Sequence, residues 1–147
     1  MPHGHDGAEL RVGHSDTELS ARLSDGLDEI NFAATGTTAA DQGSLSVKAV
    51  DAAGELIGGL TAWTWGGLLG IEMLWVREDS RKDGWGAKLL RAAEEEARRR
   101  GCDRASVSSF TFQAPEFYRR QGYTETGRTH GIPGGAEDVH FFKRLDG

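Results

Sequence analysis

The chain has 147 residues, of which 37% are hydrophobic and 27% charged, a composition typical of one globular domain with its own core. No stretch approaches the roughly 18 apolar residues that a membrane-spanning helix needs, so we expect no membrane partner. The formal net charge of -6 repels polyphosphate and argues against nucleic acid as a partner.

The start of the sequence and its single cysteine indicate where the protein works. Residues 1–8 lack the basic start and apolar run of an export signal, so we expect a flexible tail there, one domain over 9–147 and a cytoplasmic location. Cys102 is the only cysteine, which excludes an internal disulfide and fits a reducing compartment.

The first third of the chain predicts a strand, a helix and a loop. Residues 9–13 are consistent with a short first strand, and Ser15 to Glu18 has the form of a capping box that starts a helix. Apolar residues then recur every three or four positions, which predicts a helix that packs on a sheet; they are Leu19, Leu23, Leu27 and Ile30. The small and polar residues 36–43 predict a loop that helps to frame an acceptor site.

The middle of the chain predicts three strands. Residues 45–50 alternate in polarity, 51–54 form a turn, and 55–65 resume with β-prone residues, which indicates an antiparallel hairpin. Residues 68–76 are apolar almost throughout, which is typical of a central strand.

The last third predicts two helices and three strands. After the glycine-bearing loop comes a helix with an apolar face of Leu89, Leu90, Ala93 and Ala97. Its Glu94 to Glu96 precede Arg98 to Arg100 by four residues, and Gly101 is its C-cap. The remaining predicted elements are a strand over 105–110, a helix from Pro115 to Gln121, and strands over 123–129 and 138–145.

The loop before the predicted helix has the chemistry of a diphosphate site. A helix N-terminus offers unpaired N–H groups and partial positive charge, and Gly84 and Gly86 let a phosphate approach the backbone. Arg81 and Lys82 add full positive charge at the mouth of this loop. The same two glycines also fit a plain tight turn into a surface helix.

Two segments carry a family resemblance. Residues 74–76 read Leu-Trp-Val and 81–86 read Arg-Lys-Asp-Gly-Trp-Gly, which resembles motif A of the GNAT superfamily of N-acetyltransferases. Residues 114–123, Ala-Pro-Glu-Phe-Tyr-Arg-Arg-Gln-Gly-Tyr, resemble motif B of that family. The two motifs stand in the family's order, and the predicted elements from 44 to 145 match its layout.

The resemblance implies an α/β fold: a mixed, mostly antiparallel sheet of six or seven strands that parts near its middle and holds acetyl-CoA in the gap. It implies direct transfer of the acetyl group to an amine in a ternary complex, and a homodimer. The cofactor-binding residues it implies are Leu74, Val76, Arg81, Lys82, Gly84, Trp85, Gly86, Ala87 and Thr111. Trp85 stands where the family usually has a small aliphatic residue, Glu78 where it often has proline, and Thr111 where many members have asparagine.

Two residues are candidates for proton transfer. Tyr118 matches the family's general acid, which protonates the departing thiolate; the alternative is that it only packs on the sheet. Glu72 is a carboxylate on an apolar strand, and partial burial would raise its pKa and suit a general base. Regular alternation places it on the same side as Leu74 and Val76. A carboxylate at a sheet margin is the alternative for Glu72.

Other residues leave more than one interpretation open. Trp63, Trp65 and Trp75 lie on adjoining strands, where they could wall an acceptor pocket, hold a cation over their rings, or form core or dimer contacts. His130 and His140 are alternative bases or ordinary structural histidines. The N-terminal histidines show no metal-ligand spacing, so we expect no metal.

The sequence favours a small primary amine as acceptor. A protein lysine or an N-terminal amine is an alternative substrate that shares every cofactor residue. A non-catalytic acyl-CoA-binding regulator would keep Gly84 and Gly86 without needing Tyr118. A toxin that acetylates aminoacyl-tRNA would need a basic face, which the net charge disfavours.

Overall fold

The structure is a computed structural model that describes residues 7–146. The chain divides into two compact units, with the boundary in the sequence between Ala39 and Ala40. Residues 1–6 of the predicted tail lie outside the described residues, and one domain over 9–147 stays a prediction. None of the helices in the described part of the chain combines the length and apolar content of a membrane span.

The first unit contains helix α1, Thr17–Thr35. Asp16 caps it, because its carboxylate accepts a hydrogen bond from the Leu19 N–H at 2.9 Å. The helix ends at Gly36, whose φ of 70° lets its N–H donate to the Phe32 carbonyl. The predicted helix is therefore confirmed, with Asp16 as its cap. Its apolar stripe, predicted to be buried, is 52–64% exposed at Leu19, Leu23, Leu27 and Ile30.

The strand predicted over residues 9–13 is wrong. These residues have no regular secondary structure, and Leu10 and Val12 are 99% and 100% exposed. A run of five alternating residues is a strand only where a neighbour completes its hydrogen bonds. No strand in the described residues does so.

The second unit contains two helices and a sheet. The helices are α2, Trp85–Arg99, and α3, Pro115–Arg120. The strands are β1, Gln42–Val50; β2, Leu56–Trp65; β3, Leu68–Val76; β4, Arg104–Phe110; β5, Thr124–Ile132; and β6, Ala136–Arg144. The predicted strands and helices of this region are confirmed, and their ends shift by up to three residues.

In residues 7–146 the strands form one six-stranded sheet in the order β1-β2-β3-β4-β6-β5. Every neighbouring pair is antiparallel except β3 with β4. That parallel pair spans only three positions, from Leu68 opposite Arg104 to Gly70 opposite Ser106. Beyond Gly70 and Ser106 the two strands part. The mixed, mostly antiparallel sheet with a central gap is thus confirmed.

Glycines end both helices in the same way. After α2, the Gly101 N–H donates to Arg98 and the Cys102 N–H to Ala97; after α3, Gly122 and Tyr123 repeat these bonds to Arg119 and Tyr118. Gly101 and Gly122 have φ of 89° and 93°, the left-handed conformation of a Schellman cap. The Tyr-x-x-x-Gly-Tyr segment is therefore a helix stop that brings the rings of Tyr118 and Tyr123 to 5.8 Å.

The core lies on one face of the sheet, which we call the helix face. Leu90, Ala93 and Ala97 of α2 and Tyr118 of α3 pack there with alternate strand residues such as Leu69 and Ala105. The predicted apolar face of α2 is confirmed. Glu94 lies on the same face and is 2% exposed, so it does not form the surface pair with Arg98 that the spacing predicted. The residues that alternate with the core residues lie on the second face.

Candidate active site

The site is built around the gap between β3 and β4, which we call the notch. β3 pairs with β2 as far as Val76, and β4 pairs with β6 as far as Phe110. Each strand therefore keeps one neighbour while its other edge faces the notch. Backbone groups on those two edges are free to bind a ligand.

Backbone groups of Leu74 and Val76 face the notch. The Arg77 N–H donates to the Ile57 carbonyl of β2 at 2.7 Å. In an antiparallel pair, successive residues alternate between facing the partner strand and facing away from it. Trp75 therefore faces β2, whereas the N–H and C=O groups of Leu74 and Val76 face the notch. This orientation supports their predicted role in binding the cofactor.

The opposite wall of the notch is β4. The Thr111 N–H donates to Glu137 of β6 at 2.9 Å, so by the same alternation the N–H groups of Ser108 and Phe110 face the notch. The Phe110 N–H is already bound, because it donates to the Gln113 side-chain oxygen at 2.8 Å. Ser108 is left as the backbone donor on this wall.

The N-terminus of α2 follows β3 and remains uncapped. The first intrahelical bond runs from the Lys88 N–H to the Gly84 carbonyl at 3.1 Å, and no side chain caps the helix. The N–H groups of Trp85, Gly86 and Ala87 therefore have no helical acceptor. Gly84 has φ of 78°, which favours glycine. No acidic residue lies in the first turn, so the turn suits an anion.

The side chains around this turn add positive charge. Lys82 is exposed, and the Lys88 ammonium lies 4.4 Å from the centre of the Trp85 ring. Arg81 was predicted at the mouth of the loop, and its Nε donates to the Val76 carbonyl at 2.9 Å. Arg81 thus links the loop before α2 to the edge of the notch, at a carbonyl group that faces the notch.

Tyr118 is 6% exposed in the middle of an aromatic cluster. Its ring centre lies 5.1 Å from that of Phe117 and 5.8 Å from those of Tyr123 and Phe141. Burial raises the pKa of Tyr118 to about 12, because an apolar surrounding disfavours the phenolate. The residue therefore packs on the sheet and stays protonated at neutral pH, and its role as the acid stays a prediction.

Thr111 closes the far end of β4. Its hydroxyl oxygen accepts a hydrogen bond from the Glu137 N–H at 3.1 Å, which ties β4 to the start of β6. The hydroxyl hydrogen is still available to donate. Thr111 therefore has a structural task besides its predicted contact with the cofactor.

A β-bulge changes the expected position of Glu72. Thr61 pairs with Met73 and Ala62 pairs with Ile71, so Glu72 has no partner on β2. The bulge interrupts the alternation from which we placed Glu72 beside Leu74 and Val76. Glu72 is exposed, so the expected partial burial is wrong. Its role as a base stays a prediction, now for a solvated carboxylate next to the notch.

A cavity of about 380 Å³ opens on the second face where β3 and β4 part. Of the three tryptophans considered from the sequence, Trp63 lines it, and Trp65 and Trp75 do not. Among the two histidines, His140 lines it. His130 instead contacts the Glu137 carboxylate through Nδ1. The cavity adjoins the closed end of the notch, so a molecule in it would face the end of a ligand bound along β3.

Sequence reasoning missed several residues of this site. The serines of β4 and the contact of Trp63 with Gly70 depend on which strands are neighbours and in what register, and a single chain shows neither directly. The sequence did contain a signal for the face of β4 on which Ser108 lies. Ala105 and Val107 alternate as apolar residues, so Ser108 belongs to the opposite face. The interaction of Gln113 with Phe110 had no such signal.

Comparisons with known proteins agree with this geometry. The model of the Acetyltransferase (GNAT) family matches residues 13–123. Acetyltransferase Atu2258 of Agrobacterium fabrum is 32% identical over 131 residues, which cover 89% of this chain and 94% of that protein. Blasticidin-S acetyltransferase of Streptomyces morookaense is 40% identical over 96 residues, 63% of this chain and 68% of that one.

A solved structure shares the fold. The crystal structure of an acetyltransferase from Bacillus cereus ATCC 14579 superposes with a TM-score of 0.79 at 30% identity, over 92% of this chain and 97% of that one. The chain therefore belongs to the GNAT family, and it is an N-acetyltransferase.

Proposed function

We propose that this enzyme transfers the acetyl group of acetyl-CoA to a primary amine of a small molecule. The observation that carries the proposal is the notch, with the uncapped first turn of α2 after the strand that lines it. An anionic group suits the turn, and an extended arm with amide groups suits the free edges of β3 and β4. Coenzyme A has both parts.

Different residues of the site would bind different parts of acetyl-CoA. The N–H groups of Trp85, Gly86 and Ala87 would hold the diphosphate, with Lys82 nearby. The backbone of Leu74 and Val76 would bind the pantetheine amides and the thioester oxygen. Because Arg81 occupies the Val76 carbonyl, we expect its guanidinium to leave that carbonyl and turn to the diphosphate on binding.

The chemistry is a direct transfer in a ternary complex. The amine nitrogen attacks the thioester carbonyl carbon, a C–N bond forms, and the C–S bond breaks. The N–H groups of β3 stabilise negative charge on the carbonyl oxygen. Tyr118 gives its proton to the departing sulfur, and its raised pKa of about 12 keeps that proton in place beforehand. Glu72 accepts the proton of the amine, directly or through water.

A small acceptor is supported by the similarity to an enzyme that acts on blasticidin S. The cavity beside the notch, at about 380 Å³, falls within the size range of sites for small molecules. An extended peptide would more naturally add to a free strand edge. The notch edges are assigned to the cofactor in this proposal.

The test is a thiol-release assay with acetyl-CoA and a panel of polyamines, aminoglycosides, amino acids, blasticidin S and lysine peptides. We expect release with at least one small amine and none without acceptor. Release with peptides alone would favour a protein acetyltransferase. Heat of acetyl-CoA binding with no turnover on any acceptor would favour a binding protein. If acetyl-CoA produced no heat of binding and gave no protection against thermal unfolding, the proposal would be refuted.

We further propose a cytoplasmic homodimer. The location is supported by Cys102, which is buried and unpaired as thiols are in a reducing compartment. The dimer is what the family resemblance implies. Light scattering coupled to size exclusion distinguishes a mass of one chain, 15.9 kDa, from that of two.

A further inference from the structure

The cavity on the second face contains an aromatic ring in a fixed place. Trp63 of β2 lies directly opposite Gly70 of β3. A Cβ atom added at Gly70 would lie 2.6 Å from the indole Nε1 of Trp63, and nearer still to Cε2 and Cζ2. The indole therefore lies directly over Gly70, and a side chain at position 70 would collide with it. Trp63 remains 39% exposed, so part of the ring faces outward.

The lining around this ring mixes apolar and polar residues. Ser106, Ser108 and His140 line the same cavity. None of the described residues that line it is lysine or arginine. The His140 Nε2 lies 4.0 Å from the Asp138 carboxylate, and Glu72 follows Ile71, which is part of the lining. An aromatic face with carboxylates nearby and no fixed cation suits a positively charged guest.

We propose that Trp63, held against the strand by Gly70, is the specificity-determining residue for the acceptor and selects small amines that carry a second cationic group. One amine of such a molecule loses its proton and attacks the thioester. The other stays an ammonium over the indole face. This inference rests on the proposed acetyl transfer and assigns the substrate class of that site.

The test compares two acceptors of equal length, 1,4-diaminobutane and 4-amino-1-butanol, in which a hydroxyl replaces the second ammonium. The measured quantity is the ratio of their kcat/KM values. We expect the parent enzyme to prefer the diamine. Trp63→Ala should reduce the preference by about 2- to 30-fold, the range of cation–π contacts, without a change in the KM of acetyl-CoA.

Two further variants separate the position of the ring from its presence. Gly70→Ala keeps the indole but pushes it away, so it should reduce the preference as Trp63→Ala does. The double variant should lose no more than Trp63→Ala alone, because both changes act on one contact. Trp75→Ala is the matched control, since Trp75 is 50% exposed and lies outside the cavity lining.

The outcomes distinguish this inference from the proposed function. If the parent binds no acetyl-CoA, the proposed function fails. If it acetylates both amines and Trp63→Ala leaves the ratio unchanged, or Trp75→Ala lowers it equally, the inference about Trp63 is overturned while the function stands. Turnover of other amines with none of the diamine overturns the substrate class. If Gly70→Ala fails to fold, the Trp63→Ala comparison still decides.

Discussion

Tyr118 is a phenol that burial keeps protonated. Its pKa of about 12 means that the acid form persists through the alkaline range in which an amine loses its own proton. We expect Tyr118→Phe to lower kcat by roughly 100-fold or more, the contribution typical of a general acid. The KM of acetyl-CoA should stay within about twofold, because the phenol acts on the leaving group and not on binding.

The dependence of kcat on pH tests the raised pKa of Tyr118. A group that is active when protonated loses activity above its pKa, so the parent should show no alkaline decline between about pH 7 and 10. A decline that begins near pH 9 would contradict the raised pKa. Tyr123→Phe is the matched control: its hydroxyl donates to Glu94, so that change should affect stability and leave kcat alone.

Glu94 differs from Tyr118, because its buried carboxylate has a structural task and no role in the proposed chemistry. Its carboxylate accepts from the Tyr123 hydroxyl at 2.7 Å and from the Lys143 ammonium at 3.1 Å. We expect Glu94→Gln to lower the free energy of unfolding by about 3 kcal/mol, because it leaves the Lys143 ammonium without its counter-charge. Urea denaturation followed by circular dichroism measures this change.

A double variant tests the reason for that loss. Replacing both charges, with Glu94→Leu and Lys143→Met, removes the unpaired ammonium as well, and such replacements are often neutral. It should therefore be more stable than Glu94→Gln. If the double variant is less stable than the single one, the hydrogen bond to Tyr123 dominates, and not the charge pair.

At the scale of elements, helix α2 carries positive-φ glycines at both ends. Gly84 and Gly101 have φ of 78° and 89°, and a Cβ added at either would meet nothing within 4 Å. We expect alanine at each position to cost a similar roughly 1–2 kcal/mol of stability. Gly84→Ala should also weaken acetyl-CoA binding, because it distorts the N–H groups that follow.

Gly101→Ala is therefore the internal control, since it strains the same helix at the end away from the notch. Calorimetric titration of acetyl-CoA and thermal unfolding of both variants provide the two measurements. Equal loss of acetyl-CoA affinity in both variants would mean that helix stability governs binding, and would contradict a specific role for the first turn.

Most elements of the second unit could be predicted because local signals mark their ends. An apolar run predicted β3, and a proline and a glycine predicted the two ends of α3. The predicted and observed bounds of these elements differ by at most one residue. The strand over 9–13 failed because strand formation needs a neighbour as well as alternation. The bulge at Glu72 could not be foreseen, since an extra residue is defined only against the register of β2.

In the candidate site, too, features local in sequence could be predicted and contacts distant in sequence could not. The first turn of α2 around Gly84 is local in sequence, and residues alone predicted its unpaired N–H groups. Arg81 lies in the loop just before that turn, but its bond to Val76 depends on how a flexible side chain folds back. The Trp63–Gly70 contact joins two strands and needs the register of both. Contacts distant in sequence are the part that local patterns do not determine.

For the molecule as a whole, the notch separates the sheet into two halves, β1 to β3 and β4 to β6. Their strands are joined by three residue pairs of β3 and β4 and by the shared core on the helix face. A ligand in the notch would bond to the free edges of both halves and bridge them. Binding should then protect backbone groups that the free protein leaves without partners.

Amide hydrogen exchange tests this bridging at single residues of one strand. We expect acetyl-CoA to slow exchange at Leu74 and Val76, whose N–H groups face the notch, by about fivefold or more, as a net hydrogen bond of about 1 kcal/mol requires. The Trp75 amide is the control, because it faces β2 and should be protected with or without ligand. If all three amides slowed equally, the ligand would be stabilising the strand globally, and if none slowed, it would bind elsewhere. A response confined to the alternate residues would place the cofactor along the β3 edge of the notch.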